Sequence, residues 1–303
     1  MKSLRLFIRL SRPYYILSAI LLYLLGIGIA HYLSGQVNWA LLFLGLAWII
    51  VVLLGAQYLN EYFDPQIFIE NTAPKHTPFS GVSGAIGVGK LPRPVALWAG
   101  LAGLAVATAL TVIIIQLYRF SLPGILIFGL ILFGELFMAL PPLRQLAAGY
   151  GELITSIIIG GLIPAAGYIL QGHDFHRLLI MIAVPLTTLH IGMLLAMELP
   201  DYASDLKQTK QPVMVRVGWQ GGMILHNIMI LGSFVVIGIA FLFGLPIRVV
   251  WPVFFVFPIG LFQIWLMNRI ADGAKPNWDL LVLVAASTFG VTAYLLTFAF
   301  WIH

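Results

Sequence analysis

The chain has 303 residues, of which 61% are hydrophobic and 9% are charged, and its formal net charge is +5. A soluble domain carries about 25% charged residues, so this composition excludes a water-soluble globular protein and predicts an integral protein of the lipid bilayer. The apolar runs are continuous rather than alternating, which excludes a transmembrane β-barrel. The absence of cysteine excludes disulfides and thiolate chemistry. No basic tail with interleaved aromatic residues is present, so we expect no nucleic-acid partner.

The first apolar run, from Tyr14 to Leu33, follows a basic segment and leaves two alternatives open. Basic residues before an apolar run that ends near a small-x-small triplet, here Gly28-Ile29-Ala30, are typical of a cleaved signal peptide. The run is nevertheless about 20 residues long, which is the length of a membrane-spanning helix. We therefore expect it to be retained as the first transmembrane helix.

Nine apolar runs have the length of transmembrane helices. Two connections between them are long and polar, residues 60–93 after the second run and residues 200–221 after the sixth. Because these connections lie four helices apart, the sequence predicts two four-helix pseudo-repeats followed by a ninth helix. The predicted fold is an all-α integral membrane bundle that forms a single domain over residues 1–303. The predicted helices cover residues 14–34, 38–59, 94–116, 122–142, 150–170, 178–199, 222–244, 247–267 and 280–301.

Lysine and arginine are distributed unequally between the two sides of the predicted bundle. With a cytoplasmic N-terminus and nine spans, all but three of the 16 lysines and arginines fall on the cytoplasmic side. This distribution obeys the positive-inside rule. It predicts a multi-pass protein of the inner (cytoplasmic) membrane, with both long connections in the cytoplasm. The three exceptions are Arg119, Arg177 and Arg248.

Acidic residues are concentrated where these two connections begin. On a helix, Asn60 and Asp64 are separated by four residues, and Glu198, Asp201 and Asp205 are spaced i, i+3 and i+7, so each set shares one face. Carboxylates placed side by side repel one another or take up protons unless a cation neutralises them. Mg²⁺ favours a few carboxylates together with substrate phosphates. The pattern predicts a Mg²⁺ site that both stretches share.

Two further features lie in the long connections. Pro200 falls in the last turn of the sixth run and predicts a broken helix, a feature tolerated where it lines a water-filled site. The glycine- and serine-rich run Ser80–Gly84, near Lys75 and His76, is compatible with phosphate binding through backbone N–H groups or with a simple loop.

Several polar residues lie within the apolar runs. Glu135 is near mid-membrane, which makes it a functional candidate or a protonated partner of Asn227, His190 or a threonine. We expect His190 and His226 to be interhelical hydrogen-bond partners rather than ligands. Asp272 and Asp279 flank the last connection and are expected to be solvated.

These motifs together resemble the UbiA superfamily of intramembrane prenyltransferases. That family carries Asn-x-x-x-Asp after its second helix, matched by Asn60 and Asp64, and Asp-x-x-x-Asp after its sixth, matched by Asp201 and Asp205. The likeness extends over the whole chain, with each motif in its expected connection. The segments Thr77–Gly84, Pro141–Arg144, Gly149–Leu153 and Val215–Gly218 are similar to further tracts of the family.

The chain departs from the family pattern at two positions. The first motif usually continues to a second aspartate, but Phe68 occupies that position, and Glu70 is the candidate replacement. In the second motif, Glu198 stands where many members have asparagine. The first departure puts in doubt how the first metal is held.

The resemblance implies a Mg²⁺-dependent enzyme that transfers a polyprenyl group from a polyprenyl diphosphate to an aromatic acceptor. Ionisation of the diphosphate would give an allylic cation, which aromatic side chains such as Tyr62, Phe63, Phe68 or Tyr150 would shield. The implied catalytic residues are Asp64, Asp201 and Asp205; the implied metal ligands are Asn60, Asp64, Glu70, Glu198, Asp201 and Asp205; the implied diphosphate-binding residues are Lys75, Arg144, Lys207 and Lys210, with Arg216 as a further candidate.

The acceptor is less closely defined. The tract ending Val215–Gly218 favours a dihydroxynaphthoate-type acceptor, as in menaquinone-type quinone biosynthesis. Other acceptors used in the family, including 4-hydroxybenzoate, glyceryl phosphate and haem, stay open. Two different classes also stay open: a transporter with parallel repeats, which would place ionisable groups at mid-membrane, and a non-catalytic relative, suggested by Phe68.

Overall fold

The computed structural model describes residues 2–64, 83–118, 121–143, 149–206 and 211–303. Within these ranges the chain is helical without β-strands, and nine helices are long and apolar enough to cross a membrane. The predicted all-α membrane bundle with nine spans is therefore confirmed. The grouping of the helices into two pseudo-repeats stays a prediction.

The membrane-spanning helices follow one another along the chain, with a short helix before the first and another after the sixth. The elements are α1 (Lys2–Leu10), α2 (Pro13–Ser34), α3 (Trp39–Phe63), α4 (Arg93–Tyr118), α5 (Leu122–Ala139), α6 (Gly151–Leu170, with a π-helical turn at Ile158–Leu162), α7 (Arg177–Glu198), α8 (Tyr202–Asp205), α9 (Val213–Leu242), α10 (Ile247–Ala271, with a 3₁₀ turn at Trp251–Phe255) and α11 (Trp278–Ile302).

The structure differs from the predicted boundaries at three places. Helix α1 is additional, since its apolar positions are too few to register as a run. Helix α3 continues to Phe63, so Asn60 lies inside the helix. Helix α9 begins at Val213, nine residues before the predicted start at residue 222. It passes through Gly218, whose φ of 76° and ψ of 155° form a kink that glycine tolerates and other residues do not.

Small residues allow the helices to approach closely. A Cβ atom on Gly100 of α4 would lie 2.8 Å from the Leu59 side chain of α3, and one on Gly26 of α2 would collide with the Pro164 carbonyl of α6. Close backbone approach of this kind is a main source of attraction between helices in lipid, where burial of apolar groups gives little.

The last helix closes the bundle against the first. The Trp301 indole N–H of α11 donates a 2.9 Å hydrogen bond to the Leu24 carbonyl of α2. Nearer the start of α11, the Phe289 ring meets the His190 ring of α7 edge-on, with 4.9 Å between the ring centres. Helix α11 therefore joins α2 to α7 and fixes the central helices around one core.

Buried polar side chains form pairs between helices, as predicted for the histidines. His190 Nδ1 lies 2.9 Å from the Ser156 hydroxyl of α6, and His226 Nε2 lies 2.8 Å from Gln263 Nε2 of α10. Asn227 contacts His226 and donates to Asn268 at 2.8 Å. The suggested pairing of Glu135 with His190 or Asn227 is wrong, because both are bonded to other residues.

Candidate functional site

The two acidic stretches lie at the same end of the bundle. Helix α5 lies beside the end of α3 that carries the first stretch, because Ala139 in its last turn clusters with Ala56 and Leu59 near the end of α3. Nearer the start of both helices, the Phe128 ring of α5 lies 4.1 Å from the Trp48 ring of α3. Helices α3 and α5 therefore run in the same direction, and α3 continues about one turn beyond the end of α5.

Helix α6 connects this end to α7. A Cβ on Gly151, its first residue, would lie 2.7 Å from the Met138 methyl group in the last turn of α5. One turn further on, Ser156 bonds His190 of α7, and beyond it Gly160 packs against the Thr187 backbone. The order of these contacts makes α6 and α7 antiparallel. The C-terminal end of α7, with Glu198, therefore lies at the same end of the bundle as the last turn of α3.

The first stretch continues the inward-facing stripe of α3. Ile49 and Leu53 are buried in the main core, and Asn60 and Asp64 follow on the same side of the helix, both half-buried. Asp64 caps the helix C-terminus with extended backbone angles, φ −70° and ψ 119°. The predicted shared face of Asn60 and Asp64 therefore points towards the interior of the bundle.

Gln57 belongs to the same stripe and was missed by the sequence reasoning. Its Oε1 atom is buried and accepts no hydrogen bond from the described residues. Gln57, Asn60 and Asp64 have the spacing i, i+3 and i+7, the same as that of Glu198, Asp201 and Asp205. This repeated spacing is the signal that would have identified Gln57 as a third oxygen donor.

Glu61 points away from this stripe and has a structural role. Its carboxylate is 4% exposed, accepts the Ser83 backbone N–H at 3.0 Å and the Ser83 hydroxyl, and lies 3.4 Å from the Arg12 guanidinium. Ser83 thus gives both of its donors to a carboxylate. Ser83 belongs to the suggested phosphate-binding run Ser80–Gly84, but its donors are used by Glu61, so Ser83 does not fit an anion site.

Arg93 holds the end of α3 from the other side. Its Nε and Nη2 atoms donate to the Tyr62 carbonyl at 2.8 and 2.5 Å, and its guanidinium lies 4.4 Å from the centre of the Tyr62 ring. The last carbonyls of a helix lack intrahelical partners, and Arg93 satisfies one of them. The face of the Tyr62 ring is therefore occupied by Arg93.

The second stretch lies on a broken helix, as Pro200 predicted. Helix α7 ends at Glu198, a 3₁₀ turn covers Leu199–Asp201, and α8 follows. Asp201 occupies the N-cap position of α8 without a side-chain hydrogen bond to the helix. Asp205 is 7% exposed. The Asp201 carboxylate therefore does not cap α8.

Two acids of these stretches occupy electrostatically unfavourable positions. Asp64 caps α3 and Glu198 ends α7, so both lie at helix C-termini. A helix C-terminus carries partial negative charge and favours cations. Carboxylates at two such ends, at one end of the bundle, are stabilised when a cation lies between them.

Exposure separates these acids from the aspartates of the connecting segments. Asp174, Asp272 and Asp279 are exposed, as predicted for the last two. Asp64, Glu198, Asp201 and Asp205 are instead half-buried or buried. Partial burial of negative charge favours a bound cation over solvation as the source of stabilisation.

A cation and an aromatic ring pair at the start of α6 and α9. The Arg216 guanidinium lies 5.6 Å from the centre of the Tyr150 ring, and Gly149, with φ 80°, gives it room, because a Cβ there would collide with the Arg216 side chain. Glu152 follows in the first turn of α6 with a buried Oε2 that has no hydrogen-bond donor among the described residues. Arg216 is thus the one predicted diphosphate-binding cation whose surroundings the structure describes.

The described residues fit a magnesium site of limited protein ligation. Within the described ranges, no three histidine, aspartate or glutamate side chains gather as a metal-binding group. Mg²⁺ is commonly held by one or two carboxylates, with water and substrate phosphates supplying the remaining oxygens. The oxygen donors of Asn60, Asp64, Asp201 and Asp205 fit that chemistry. Predicted site residues outside the described ranges are Phe68, Glu70, Lys75, Arg144, Lys207 and Lys210.

No family model matches the sequence, and no curated protein sequence matches it. Solved structures do match it over its whole length. A UbiA homologue from Archaeoglobus fulgidus bound to DMAPP and Mg²⁺ is 19% identical, with a TM-score of 0.73 and coverage of 100% of this chain and 98% of that chain. The same archaeal homologue has also been solved bound to GPP and Mg²⁺ and bound to Cd²⁺.

Two other similar structures have lower scores. A digeranylgeranylglyceryl phosphate synthase is 12% identical, with a TM-score of 0.65 and coverage of 100% of this chain and 98% of that chain. A UbiA homologue from Aeropyrum pernix K1, solved in the apo state, is 14% identical, with a TM-score of 0.63 and coverage of 92% and 96%. These matches confirm the resemblance at the level of the fold.

Proposed function

We propose that this chain, which has the fold of the UbiA homologues, is a Mg²⁺-dependent enzyme that transfers a polyprenyl group from a polyprenyl diphosphate to an acceptor. The observation that carries the proposal is the pair of half-buried or buried oxygen-bearing stretches, at the ends of α3 and α7–α8, that lie at one end of an apolar bundle. The A. fulgidus homologue binds DMAPP or GPP together with Mg²⁺. A substrate with a polar head and an apolar tail matches a polar site at the end of a lipid-embedded bundle.

In the proposed site, Asn60, Asp64, Asp201 and Asp205 hold Mg²⁺, with Glu198 and Glu70 as further ligands. When bound, the metal neutralises the negative charge of the diphosphate leaving group. The chain's cations assist by binding the departing diphosphate, and Arg216, held beside Tyr150, is positioned to do so from the start of α9. Lys75, Arg144, Lys207 and Lys210 are proposed for the same role.

The allylic cation left after the C–O bond breaks needs protection from water. Aromatic faces stabilise cations and exclude solvent. Phe63 packs against the α3–α5 cluster at the edge of the site, and Tyr150 is 56% exposed beside Arg216. We propose that these two rings contribute to that protection. The nucleophilic carbon of the acceptor then forms the new bond, and its proton is released.

For the acceptor, we propose an aromatic compound and favour the dihydroxynaphthoate type of quinone biosynthesis, on the basis of the Val215–Gly218 tract. A glyceryl phosphate acceptor is the second candidate, because a digeranylgeranylglyceryl phosphate synthase has the same fold. We further propose that the oxygen stripes face the cytoplasm in the inner membrane, as the lysine and arginine distribution predicts. Transport is disfavoured, since the acids cluster at one end of the bundle with Glu135 as the exception.

The test uses the full-length protein purified in detergent with labelled geranyl diphosphate, Mg²⁺ and a panel of acceptors. We expect release of diphosphate and an acceptor product whose mass is increased by one prenyl group. Chelation by EDTA should abolish both signals, and added Mg²⁺ should restore them. A well-folded protein that releases no diphosphate from prenyl diphosphates of any length would contradict the enzyme proposal, and a product formed with glycerol phosphate alone would reject the aromatic acceptor.

A further inference from the structure

Glu135 is an ionisable residue deep in the bundle that the chemistry above does not use. It lies in α5, four residues before the last residue of that helix. No described residue forms a hydrogen bond or an ion pair with its carboxyl group. An acidic group at this depth in a membrane protein is costly and usually serves binding or catalysis. Its neighbours along α5 define the direction and the depth of the Glu135 side chain.

The carboxyl group points to the interior of the bundle. Leu126, Leu130 and Phe133 are 58%, 57% and 72% exposed and define the lipid-facing side of α5. Glu135 lies on the opposite side of the helix, with Ile131 and Ala139 buried one turn to either side, at 0% and 2% exposure. Yet Glu135 itself is half-buried rather than buried. Because lipid is excluded on this side, the exposed part of Glu135 faces space between the helices.

Two helices form the walls of that space. The α3 wall is defined by the contact of Trp48 with Phe128, and the α6 wall by Gly134, where a Cβ would lie 2.7 Å from the Ile158 side chain. On the helical wheel of α5, Glu135 falls between the residues that face α3 and those that face α6. The inward stripe of Gln57, Asn60 and Asp64 opens from the α3 side.

The depth of Glu135 relative to the proposed metal ligands follows from the helix rise. The Trp48–Phe128 contact sets the register of these parallel helices, so Ala139 is level with Leu59 and Glu135 is level with Gly55, five residues before Asn60. At 1.5 Å per residue, Glu135 lies on the order of 8 Å deeper than Asn60. With the diphosphate held at the proposed metal ligands, this position would lie beside the first carbons of the prenyl chain, where the acceptor must approach.

We infer that Glu135 contacts the prenyl acceptor and selects acceptors that carry a hydroxyl group. The inference rests on the proposed function. A prenyl chain offers no hydrogen-bond donor, and the diphosphate is bound at the end of the bundle, so the acceptor is the only substrate able to satisfy the carboxyl group. A hydroxyl can donate to the carboxyl group or accept from it, so it can satisfy Glu135 in either protonation state. An acceptor without a hydroxyl would leave the carboxyl group unsatisfied in an apolar interior.

The experiment compares wild type with Glu135→Leu, Glu135→Gln and the lipid-facing control Phe133→Leu. The probes are geranyl diphosphate and 4-hydroxybenzoate, 1,4-dihydroxy-2-naphthoate and homogentisate, with the O-methyl ether of whichever is prenylated fastest. We expect Glu135→Leu to reduce kcat/KM for the hydroxyl acceptor by about tenfold to a hundredfold, mainly through KM. Glu135→Gln, which keeps a hydrogen-bonding oxygen, should lose less, and Phe133→Leu should match wild type.

Two readouts separate binding of the acceptor from a general structural effect. The KM for geranyl diphosphate and the slow Mg²⁺-dependent diphosphate release without acceptor should be unchanged in Glu135→Leu. Its preference for the hydroxyl acceptor over the methyl ether should be lost. Equal losses for both substrates, or an unchanged acceptor preference, would overturn the inference. So would a wild-type enzyme that releases diphosphate yet prenylates none of the hydroxyl acceptors, whereas absence of any release would instead reject the proposed function.

Discussion

Replacing Glu61 by alanine removes the group that ties three parts of the chain together at the end of α3. The carboxylate accepts two hydrogen bonds from Ser83 and lies 3.4 Å from Arg12, which precedes α2. A hydrogen bond to a charged group contributes about 1.5–3 kcal/mol, and a buried donor left without a partner costs a similar amount. The Arg12 side chain is 27% exposed, so its ion pair adds less than about 1 kcal/mol.

The expected local effect is therefore the loss of one or two charge-assisted hydrogen bonds at Ser83. A change of about 1.5–3 kcal/mol corresponds to roughly a tenfold to hundredfold change in the local opening equilibrium. We expect hydrogen exchange at the Ser83 and Ala85 amides to accelerate by that factor in Glu61→Ala. Ala85 is included because its N–H donates to the Ser83 hydroxyl at 3.1 Å.

The assay is hydrogen–deuterium exchange read by mass spectrometry on protein in detergent, with peptides from α1, residues 83–91 and α11. Peptides from α11 should exchange at the wild-type rate, because the buried residues of that helix belong to the main core and Ala85 belongs to the separate cluster around Tyr58. At the Ser83 amide, Ser83→Ala should accelerate exchange less than Glu61→Ala, since it keeps both the backbone N–H donor and the carboxylate that accepts it. The double variant should show less than the sum of the two effects, because one interaction is shared. Wild-type exchange at Ser83 in Glu61→Ala would refute the anchoring role.

Two further predictions concern the oxygen stripes and the kink in α9. Asp64→Ala or Asp201→Ala should abolish Mg²⁺-dependent diphosphate release while the protein elutes as wild type by size exclusion. The control Asp272→Ala, at an exposed position, should stay active. Substantial activity in Asp64→Ala or Asp201→Ala would contradict the ligand assignment. Gly218→Ala should lower the melting temperature, because φ 76° with ψ 155° costs a residue with a Cβ about 1–3 kcal/mol. Gly232→Ala, in the same helix with open space around its Cβ position, should instead be neutral or stabilising, and equal melting temperatures for the two variants would argue against the strain.

The sequence predicts the membrane architecture well because the signal is long and physical. A span needs about 20 apolar residues, and nine such runs are hard to mistake. Pro200 likewise predicts the break after α7 correctly, since proline removes a hydrogen bond that the helix would otherwise form. Short elements escape this reasoning. Helix α1 buries mainly Leu10, with Leu6 and Phe7 partly buried, against a small cluster around Tyr58, so no apolar run marks it.

Side-chain roles at the candidate site are only partly predictable, and Glu61 illustrates the reason. It is adjacent to Asn60 in the sequence, but each step along a helix turns the side chain by about 100°, so the two residues face different partners. Spacing along the helix does not settle the role of Glu61, because it is four residues after Gln57 and three before Asp64, the same separations that relate members of the stripe. What spacing cannot provide is the partner of Glu61. Ser83 and Arg12 are brought together by tertiary packing that no local pattern encodes.

The helix dipole stabilises some of the acidic residues and destabilises others, and this difference separates acids with a structural explanation from acids that need a functional one. Glu152 lies in the first turn of α6, where the helix dipole favours negative charge, so its presence follows from local structure alone. Asp64 and Glu198 lie at helix C-termini, where the same dipole opposes them. Local rules are broken mainly where function requires it, and the compensation must come from outside the helix. A shared cation would provide that compensation for both stretches at once, which is why their convergence at one end of the bundle carries more weight than either motif alone.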